Sequence, residues 1–301
     1  MRYIIIGRLH GGVGDFITLT SLIREINIKY PQKKIILITG NKEIFLNNSR
    51  INKLIWIKNN IVKSLILRIF RLLESIIPNL FCYYYYKNSK YNSLEEEIRA
   101  GNRENYQKLL SKHWNLNINY ENLKNEIYFT EEEKIEYNKK FKKLPKEYLL
   151  IHSEGKTTYT FNKEIGSHNI QKIIDQVENI NWIQIGNKND YKLKNINFDL
   201  RGKTSLRELF FLMSKSKGVI CQEGMYNHLA NAFNISSITL FTGFSPKEIY
   251  VYKNTIPIQI SNLPNCSPCM KLEKCNKNFE CINDEIVQKT VSLLTKKGNL
   301  L

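Results

Sequence analysis

Residues 7–15 have the composition of a ligand-binding turn, in which glycines surround a carboxylate and an imidazole. The segment follows the apolar run Tyr3–Ile6, typical of a buried strand, and leads into apolar residues at helical spacing. Glycine lets a ligand come close, and the free N–H groups of a helix N-terminus attract negative charge. The turn therefore predicts a ligand-binding loop formed by His10, Gly11, Gly12 and Gly14, with the carboxylate of Asp15 at its end.

Asp15 has two interpretations on this local pattern. It follows the first strand, at the edge where open α/β sheets bind their ligands. Alternatively, the glycines only make a tight turn and Asp15 only caps the helix. The segment contains neither a Gly-Lys-Ser/Thr sequence nor a complete Gly-x-Gly-x-x-Gly fingerprint, so it matches neither standard nucleotide-binding loop.

A second loop of the same kind, residues 222–228, leads from the apolar run 218–221 into a predicted helix. Its backbone amides are suited to a diphosphate, and His228 or a nearby lysine would add positive charge. The alternative is an ordinary strand-to-helix turn in which a hydrogen bond holds His228.

Four cysteines lie close together near the end of the chain, in the pattern Cys-x2-Cys-x5-Cys-x5-Cys. A Cys-x-x-Cys pair is the usual first half of a Zn or Fe–S site, and four sulfurs suit a structural metal centre. The second pair is more widely spaced than in a zinc ribbon, so reduced thiols or a disulfide are the alternative. The predicted ligands of a structural Zn or Fe ion are Cys266, Cys269, Cys275 and Cys281.

The composition indicates a globular and strongly basic protein. Of 301 residues, 45 are Lys or Arg and 28 are Asp or Glu, which gives a net charge of +17. Such a chain attracts polyanions: nucleic acid, anionic lipid or phosphorylated small molecules. It contains no recognisable nucleic-acid module, so a nucleic-acid partner is not expected. Met1 leads directly into a strand and no apolar run reaches membrane-spanning length, which predicts a cytoplasmic protein.

These candidate residues need a scaffold, and an alternation of strands and helices occurs twice along the chain. This alternation predicts an α/β fold with two Rossmann-like domains, residues 1–143 and 144–301, facing a central cleft. The second domain would end in the cysteine-rich tail and a last helix. Predicted strands cover residues 34–40, 51–57, 83–86, 148–152, 181–186, 197–200, 218–221 and 237–241, and predicted helices cover 94–114, 131–146, 168–177, 205–214 and 228–233.

Residues 61–77 form a broad apolar helical face with basic residues on the other side. One interpretation is an ordinary core helix of the first domain. The other is a basic amphipathic helix that lies on an anionic membrane surface.

Three stretches of the sequence resemble glycosyltransferase family 9, the ADP-heptose:lipopolysaccharide heptosyltransferases. Residues 4–24 resemble the opening Arg-Leu-x-x-x-Gly-Asp…Thr-x-x-Leu segment of the family. Residues 199–209 resemble its Leu-x-Gly-x-Thr-Ser-Leu-x-Glu-Leu stretch, and residues 228–232 resemble the His-containing segment that follows the glycine loop. A cysteine-rich tail before a last helix also occurs among family members.

The resemblance implies a GT-B fold and inverting sugar transfer without a catalytic cofactor or metal. On the family pattern Asp15 is the general base, and residues 10–14 form the acceptor loop. The second domain would bind the donor, with Lys156 as an alternative to Lys163. The donor-binding residues implied are Ser153, Lys163, Asp190, Thr204, Glu223, Gly224, Met225 and His228.

The predicted function is transfer of a heptose or related sugar to a lipopolysaccharide, lipooligosaccharide or similar glycan, at the inner face of the membrane. The favoured donor is ADP-heptose. Two departures from the family pattern affect the donor site: residues 223–228 replace Asp-Ser/Thr-Gly-x-x-His, and residues 162–165 replace a Lys-Arg-Trp-Pro-like segment. Another donor sugar or a protein acceptor is therefore an alternative. A further alternative is a non-enzymatic, metal-stabilised adaptor that binds polyanions.

Overall fold

The computed structural model describes residues 2–73, 76–77, 80–82, 93–114, 116, 123–154 and 159–296. Strands and helices alternate along most of the chain, as predicted. The elements are β1 (Tyr3–Arg8), α1 (Val13–Lys29), β2 (Lys34–Thr39), β3 (Lys53–Trp56), α2 (Asn60–Leu73), β4 (Leu80–Cys82), α3 (Leu94–Arg99), α4 (Tyr106–His113), α5 (Glu131–Lys140), β5 (Leu149–His152), α6 (Ser167–Asp175), β6 (Trp182–Ile185), β7 (Phe198–Asp199), α7 (Leu206–Lys215), β8 (Gly218–Gln222), α8 (Met225–Phe233), β9 (Ser236–Leu240), β10 (Thr255–Ile258) and α9 (Asp284–Lys296).

The chain forms two compact units. The first contains residues 1–93 and 105–134, and the second contains residues 94–104 and 135–301. The units divide within α5, and the domain boundary predicted between residues 143 and 144 stays a prediction. None of the described helices is both long and apolar enough to cross a membrane.

The first unit is built on a parallel sheet with the strand order β3-β2-β1-β4. Aliphatic residues of β1 and β2 pair side by side, Ile4 with Ile35 and Ile6 with Leu37. All four of these side chains are fully buried. Together with the buried face of α1, they form the core that positions the turn after β1.

The second unit is built on a parallel sheet with the strand order β10-β9-β8-β5-β6-β7. Its apolar core includes β5, β6 and β8, and α6 and α9 pack against it. The capping box predicted for α7 is confirmed, because Glu208 N–H donates to Ser205 Oγ at 3.2 Å and Ser205 N–H donates to Glu208 Oε2 at 2.8 Å. The two parallel sheets confirm the predicted α/β class.

Several predicted elements need correction. The helix predicted over residues 94–114 is two helices, α3 and α4, separated at Gly101, which has φ 101°. The helix predicted over 131–146 ends at Lys140, well before Pro145. β10 was not predicted; it is an edge strand, where Pro257 is tolerated because its missing N–H need not pair. The strand predicted at residues 83–86 lies outside the described residues.

The interpretation of residues 61–77 as an ordinary core helix holds for one side of α2 only. In α2 only Phe70 is buried. Its ring packs directly on β1, because a Cβ placed on Gly7 would lie 2.3 Å from Phe70 Cε2. Five of the other eight large apolar side chains of the helix are exposed, by between 41% and 80%. Helix α2 is therefore attached to the sheet along one side only.

Candidate active site

Asp15 lies in the first turn of α1 and is held by two groups. The guanidinium of Arg8, the last residue of β1, is 2% exposed, and its Nη2 lies 3.0 Å from Asp15 Oδ2. The N–H of Gly12, the residue that caps α1, donates to the same oxygen at 2.8 Å. Asp15 therefore does cap the helix. Its side chain nevertheless stays 40% exposed, so a ligand on the solvent side can reach the carboxylate.

The three glycines of the turn have different backbone conformations. Gly11 has φ 132°, a conformation that side chains of L-residues rarely adopt, whereas Gly12 has the extended conformation of a cap residue and Gly14 lies inside α1. Of the three glycines, Gly11 therefore has the backbone conformation that requires a glycine.

His10 stands in a positively charged environment. Burial, followed by the charges of Lys63 and Arg8, lowers its pKa below the ordinary value of 6.5, so the imidazole is neutral at pH 7. Lys63 belongs to α2, and local sequence patterns gave no reason to place it beside His10. The turn thus combines one carboxylate, a neutral imidazole and two cations.

In the second unit, the predicted donor-binding residues follow the ends of neighbouring strands. β5 pairs with β6 on one side and with β8 on the other. Ser153 follows β5, Asp190 lies in the loop after β6, and Glu223 follows β8. Because the strands are parallel, these residues share the carboxyl edge of the sheet, which is the ligand-binding edge of α/β folds.

Two of the predicted residues form an ion pair, since Lys163 Nζ lies 2.7 Å from Glu223 Oε2. Lys163 ends a short 3-10 helix, residues 161–163. Its ammonium group also lies 5.3, 5.1 and 5.4 Å from the ring centroids of Tyr159, Phe244 and Tyr250. A cation in such an aromatic cage keeps its position with little conformational freedom. The cage was not predicted, because two of its rings, Phe244 and Tyr250, lie far from Lys163 in the sequence.

The loop before α8 was predicted to bind a diphosphate. Gly224 caps the helix with φ 153°, and Met225 is its first residue. His228 is 6% exposed, and its Nδ1 lies 2.6 Å from the hydroxyl of Tyr252. The hydrogen bond that the alternative interpretation required is thus present. His228 lies one helical turn after Met225, the residue at which α8 begins.

Asp190 belongs to a small polar cluster. Its Oδ2 accepts the N–H of Asn187 at 2.7 Å and lies 3.6 Å from Nε2 of His152. Burial opposes ionisation, but the hydrogen bonds from His152 and Asn187 outweigh it, so the pKa of Asp190 is lowered. The His152 ring packs on Tyr226, with 4.4 Å between centroids. His152 was missed as a candidate, although its position at the end of β5 could have indicated it.

Two further predicted donor-binding residues differ from those described above: Ser153 is less accessible, and Thr204 is less constrained. Ser153 is fully buried; its hydroxyl donates to the carbonyl of Tyr191 at 3.0 Å and accepts from Gln184 Nε2 at 3.1 Å. Thr204 is half-buried, immediately before the cap of α7. Lys156, the alternative to Lys163, lies outside the described residues.

The buried amide of Asn162 joins the lysine loop to the cysteine segment. Its Nδ2 donates to the carbonyls of Lys271 and Glu273, each at 2.7 Å, and its Oδ1 accepts the N–H of Cys275 at 3.0 Å. Asn162 immediately precedes Lys163 in the sequence. The position of Lys163 therefore depends on the segment that carries the cysteines.

The four cysteines line one cavity of about 30 Å³ beside Gly243 and Phe244. Burial raises the pKa of Cys281, and the neighbouring Cys269 and Cys275 raise it further. Within the described part of the chain, however, no three His, Cys, Asp or Glu side chains are arranged to hold a metal ion. The thiols are therefore neighbours without the geometry of a finished metal centre, and the metal site stays a prediction.

Comparison with known proteins identifies the family. The family model for glycosyltransferase family 9 (heptosyltransferase) matches residues 103–280, more than half of the chain. Lys163, Asp190 and the loop before α8 lie inside this match, whereas Asp15 precedes it. Comparison with curated protein sequences gives no match.

Solved structures share the fold at low sequence identity. A glycosyltransferase of family 9 from Veillonella parvula is 13% identical with a TM-score of 0.69, over 98% of both chains. E. coli ADP-heptose LPS heptosyltransferase II is 15% identical with a TM-score of 0.62, over 98% of this chain and 99% of that one. The iron-containing dodecameric heptosyltransferase TibC, in complex with ADP-D-β-D-heptose, is 11% identical with a TM-score of 0.62, over 98% of this chain and 76% of that one; a second TibC structure gives enterotoxigenic E. coli as its source.

These structures, together with the two parallel-sheet units, confirm the predicted GT-B fold. The family match confirms the predicted enzyme class, since its members are glycosyltransferases. This chain belongs to glycosyltransferase family 9, the heptosyltransferase family.

Proposed function

We propose that this enzyme transfers a heptose or related sugar from a nucleotide-diphosphate donor to a lipopolysaccharide, lipooligosaccharide or similar glycan, with inversion and without a catalytic metal. The observation that carries the proposal is the half-exposed Asp15 carboxylate, which Arg8 and the Gly12 amide hold in a fixed orientation. A hydroxyl group is a weak nucleophile at neutral pH, so a positioned carboxylate that accepts its proton accelerates the attack.

In the proposed reaction, the acceptor oxygen attacks the anomeric carbon as its proton passes to Asp15. The bond between that carbon and the diphosphate breaks, and the nucleoside diphosphate leaves with the electron pair. A single displacement from the opposite face inverts the configuration. Lys163 and the amides at the start of α8 stabilise the charge that develops on the leaving group. These protein groups take the part that a divalent cation plays in other transferases.

ADP-heptose is the favoured donor. Two structural neighbours support this choice, because one is named an ADP-heptose LPS heptosyltransferase and another binds ADP-D-β-D-heptose. We assign the diphosphate to Lys163, Met225 and His228, with Gly224 allowing the close approach. Asp190 is assigned to the ribose, Ser153 and Thr204 complete the donor-binding set, and Glu223 belongs to it as the carboxylate that holds Lys163 until the diphosphate binds. Another donor sugar remains the alternative, since residues 223–228 depart from the Asp-Ser/Thr-Gly-x-x-His loop of the family.

The enzyme would work in the cytoplasm, at the membrane surface where a glycolipid acceptor is anchored, and nucleic acid is not among its proposed partners. Thermal unfolding with ADP-heptose, other nucleotide sugars and ADP tests the donor assignment. A ligand at 100 times its Kd adds about 2.7 kcal/mol to the free energy of unfolding. Absence of stabilisation by every nucleotide sugar, together with polyanion binding that weakens steeply with salt, would instead support the adaptor function.

The metal prediction for the four cysteines has separate support, because one neighbour is named as iron-containing. A Zn or Fe ion there would be structural, and no catalytic step depends on it. Elemental analysis of protein purified without chelator decides the point: the prediction requires about one ion per chain, lost in Cys266→Ser/Cys269→Ser. Cys221→Ser is the control, since Cys221 is buried in β8 and burial raises its pKa to about 12.

A further inference from the structure

Helix α2 is apolar on two sides, although it lies on the surface of the first unit. One side packs against the sheet: Phe70 contacts Leu80, and Ile66, Leu67 and Leu73 join the same cluster. A second side faces outward. A helix that is apolar most of the way round is normally buried in a protein core or in a membrane.

The outward side forms a continuous stripe of aliphatic residues. At 100° per residue, its members fall on adjacent positions around the helix, next to the packed side. The stripe consists of Ile61 (80% exposed), Val62 (41%), Leu65 (57%), Ile69 (43%) and Leu72 (72%). We call these five residues the α2 stripe. It contains no group that could form a side-chain hydrogen bond, so it recognises apolar material without directional contacts.

Positive charge borders the α2 stripe. On the helical wheel Arg68 follows directly at its edge, with Arg71 beyond it, and both side chains are exposed. Lys58 precedes the helix and is exposed as well. The sequence contains no Asp or Glu between residues 44 and 73. An aliphatic stripe with arginines at its edge matches the interface of an anionic bilayer, where the side chain stems enter the acyl boundary and the charged ends meet phosphates.

The charge pattern also argues against a second copy of the chain as the partner. In a twofold dimer through this face, the same patch would meet itself. Lys58, Arg68 and Arg71 would then face their own counterparts with no acidic residue of the segment to compensate. An anionic lipid surface has the complementary charge.

We propose that the α2 stripe, with Arg68 and Arg71, is a docking surface for an anionic lipid bilayer, into which α2 inserts while lying parallel to the membrane plane. The remaining side of α2 keeps its contacts with β1 and β4, so docking needs no unfolding of the unit. This inference does not rest on the proposed sugar transfer, since it follows from the exposure and charge of one helix.

Flotation with two kinds of vesicle tests the proposal: phosphatidylethanolamine with phosphatidylglycerol, and phosphatidylcholine alone. The wild-type protein is expected to bind the anionic vesicles and to bind phosphatidylcholine weakly. Arg68→Glu/Arg71→Glu should weaken binding at least about 25-fold, or about fivefold per positive charge lost. Lys139→Glu/Lys142→Glu, which makes the same charge change at exposed positions elsewhere, should bind nearly as well as wild type.

The apolar contribution is tested with Ile61→Ser/Leu65→Ser/Leu72→Ser, which should lower vesicle binding at least about tenfold. The matched control is Ile28→Ser/Ile135→Ser/Leu272→Ser, because these residues are 56%, 70% and 50% exposed on other surfaces. Equal binding by the stripe variant and its control would overturn the proposal. So would light scattering that shows a wild-type oligomer dissociated by the stripe variant without loss of vesicle binding.

Leu65→Trp gives a direct readout that does not depend on the serine variants folding. Its fluorescence should shift to the blue with anionic vesicles and be quenched by brominated lipids, because the side chain would enter the acyl boundary. Unchanged emission under conditions in which the protein floats with the vesicles would place the contact elsewhere and refute the role of α2.

Discussion

The Arg8 guanidinium and the Asp15 carboxylate form an ion pair, with 3.0 Å between Nη2 and Oδ2, in which the cation is buried and the anion is half exposed. The buried partner fixes the exposed one, because Arg8 ends a core strand and has little freedom to move. One carboxylate thereby combines a structural role, as cap and charge partner, with the proposed catalytic role.

Asp15→Asn should lower kcat by about 100- to 10,000-fold, since the amide cannot accept the acceptor proton. Donor affinity, measured by calorimetry with ADP, should stay unchanged. The substitution also removes the charge partner of buried Arg8, which should cost about 1–2 kcal/mol of stability after allowance for the exposure of Asp15. Activity must therefore be measured well below the melting temperature. The control is Asp175→Asn, which changes a carboxylate at an exposed position of α6. Wild-type turnover by Asp15→Asn would contradict the assignment.

Lys163 and Glu223 should affect nucleotide binding in opposite directions. Lys163→Ala should weaken ADP binding about 10- to 100-fold, because this factor corresponds to the free energy that one charge-assisted hydrogen bond contributes. Glu223→Gln should strengthen ADP binding, because the diphosphate no longer competes with a carboxylate 2.7 Å from the ammonium. Lys142→Ala, at an exposed position, is the control. If both variants weaken ADP binding equally, the pair acts only as a structural ion pair.

Asn162→Ala should destabilise the protein by about 2–4 kcal/mol, because two carbonyls and one N–H of residues 271–275 lose their buried partner. In the folded variant KM for the donor should rise and kcat should fall, since a displaced Lys163 no longer holds the diphosphate or stabilises the leaving group, whereas the position of Asp15 is unaffected. Asn181→Ala removes one exposed hydrogen bond and should cost less than about 0.5 kcal/mol. Donor binding by Asn162→Ala at wild-type strength would show that the cysteine segment does not position Lys163.

Glu208 should make stability depend on pH. Burial would raise its pKa, but the bonds from Lys140 and from the Ser205 N–H outweigh this and lower the pKa from its ordinary value of 4.5. A lowered folded-state pKa contributes stability above pH 4.5, and this contribution is lost as the pH falls through the folded pKa. Glu208→Gln should therefore cost about 1 kcal/mol at pH 7 and progressively less as the pH falls below 4.5. Exposed Glu178→Gln should show no such difference in denaturant titrations.

Local sequence patterns were sufficient for elements whose signals are short-range. The apolar strand of β1, the turn before Asp15 and the capping box of α7 were all predicted, because each depends on residues a few positions apart. β10 was missed because Pro257 normally argues against a strand, and only its edge position makes the proline harmless. The break between α3 and α4 was missed because Gly101 alone does not end a helical pattern.

The contacts within the candidate site depend on tertiary structure and could not be predicted. Lys163 was identified by the family resemblance, but two of the three rings around it, Phe244 and Tyr250, come from a part of the sequence far from the lysine. The link from Asn162 to Cys275 spans more than a hundred residues. Apolar periodicity likewise identified α2 as a helix, but it could not show that only one side of that helix is covered.

The Asn162 contacts also link a segment that is translated early to a segment that is translated late. The β5–β9 strands and the lysine loop are translated before residues 271–275, which supply the partners of the Asn162 amide. A nascent chain therefore completes its core strands while the lysine loop still lacks its anchor. We therefore expect the lysine loop to reach its final position only after the cysteine segment has emerged from the ribosome.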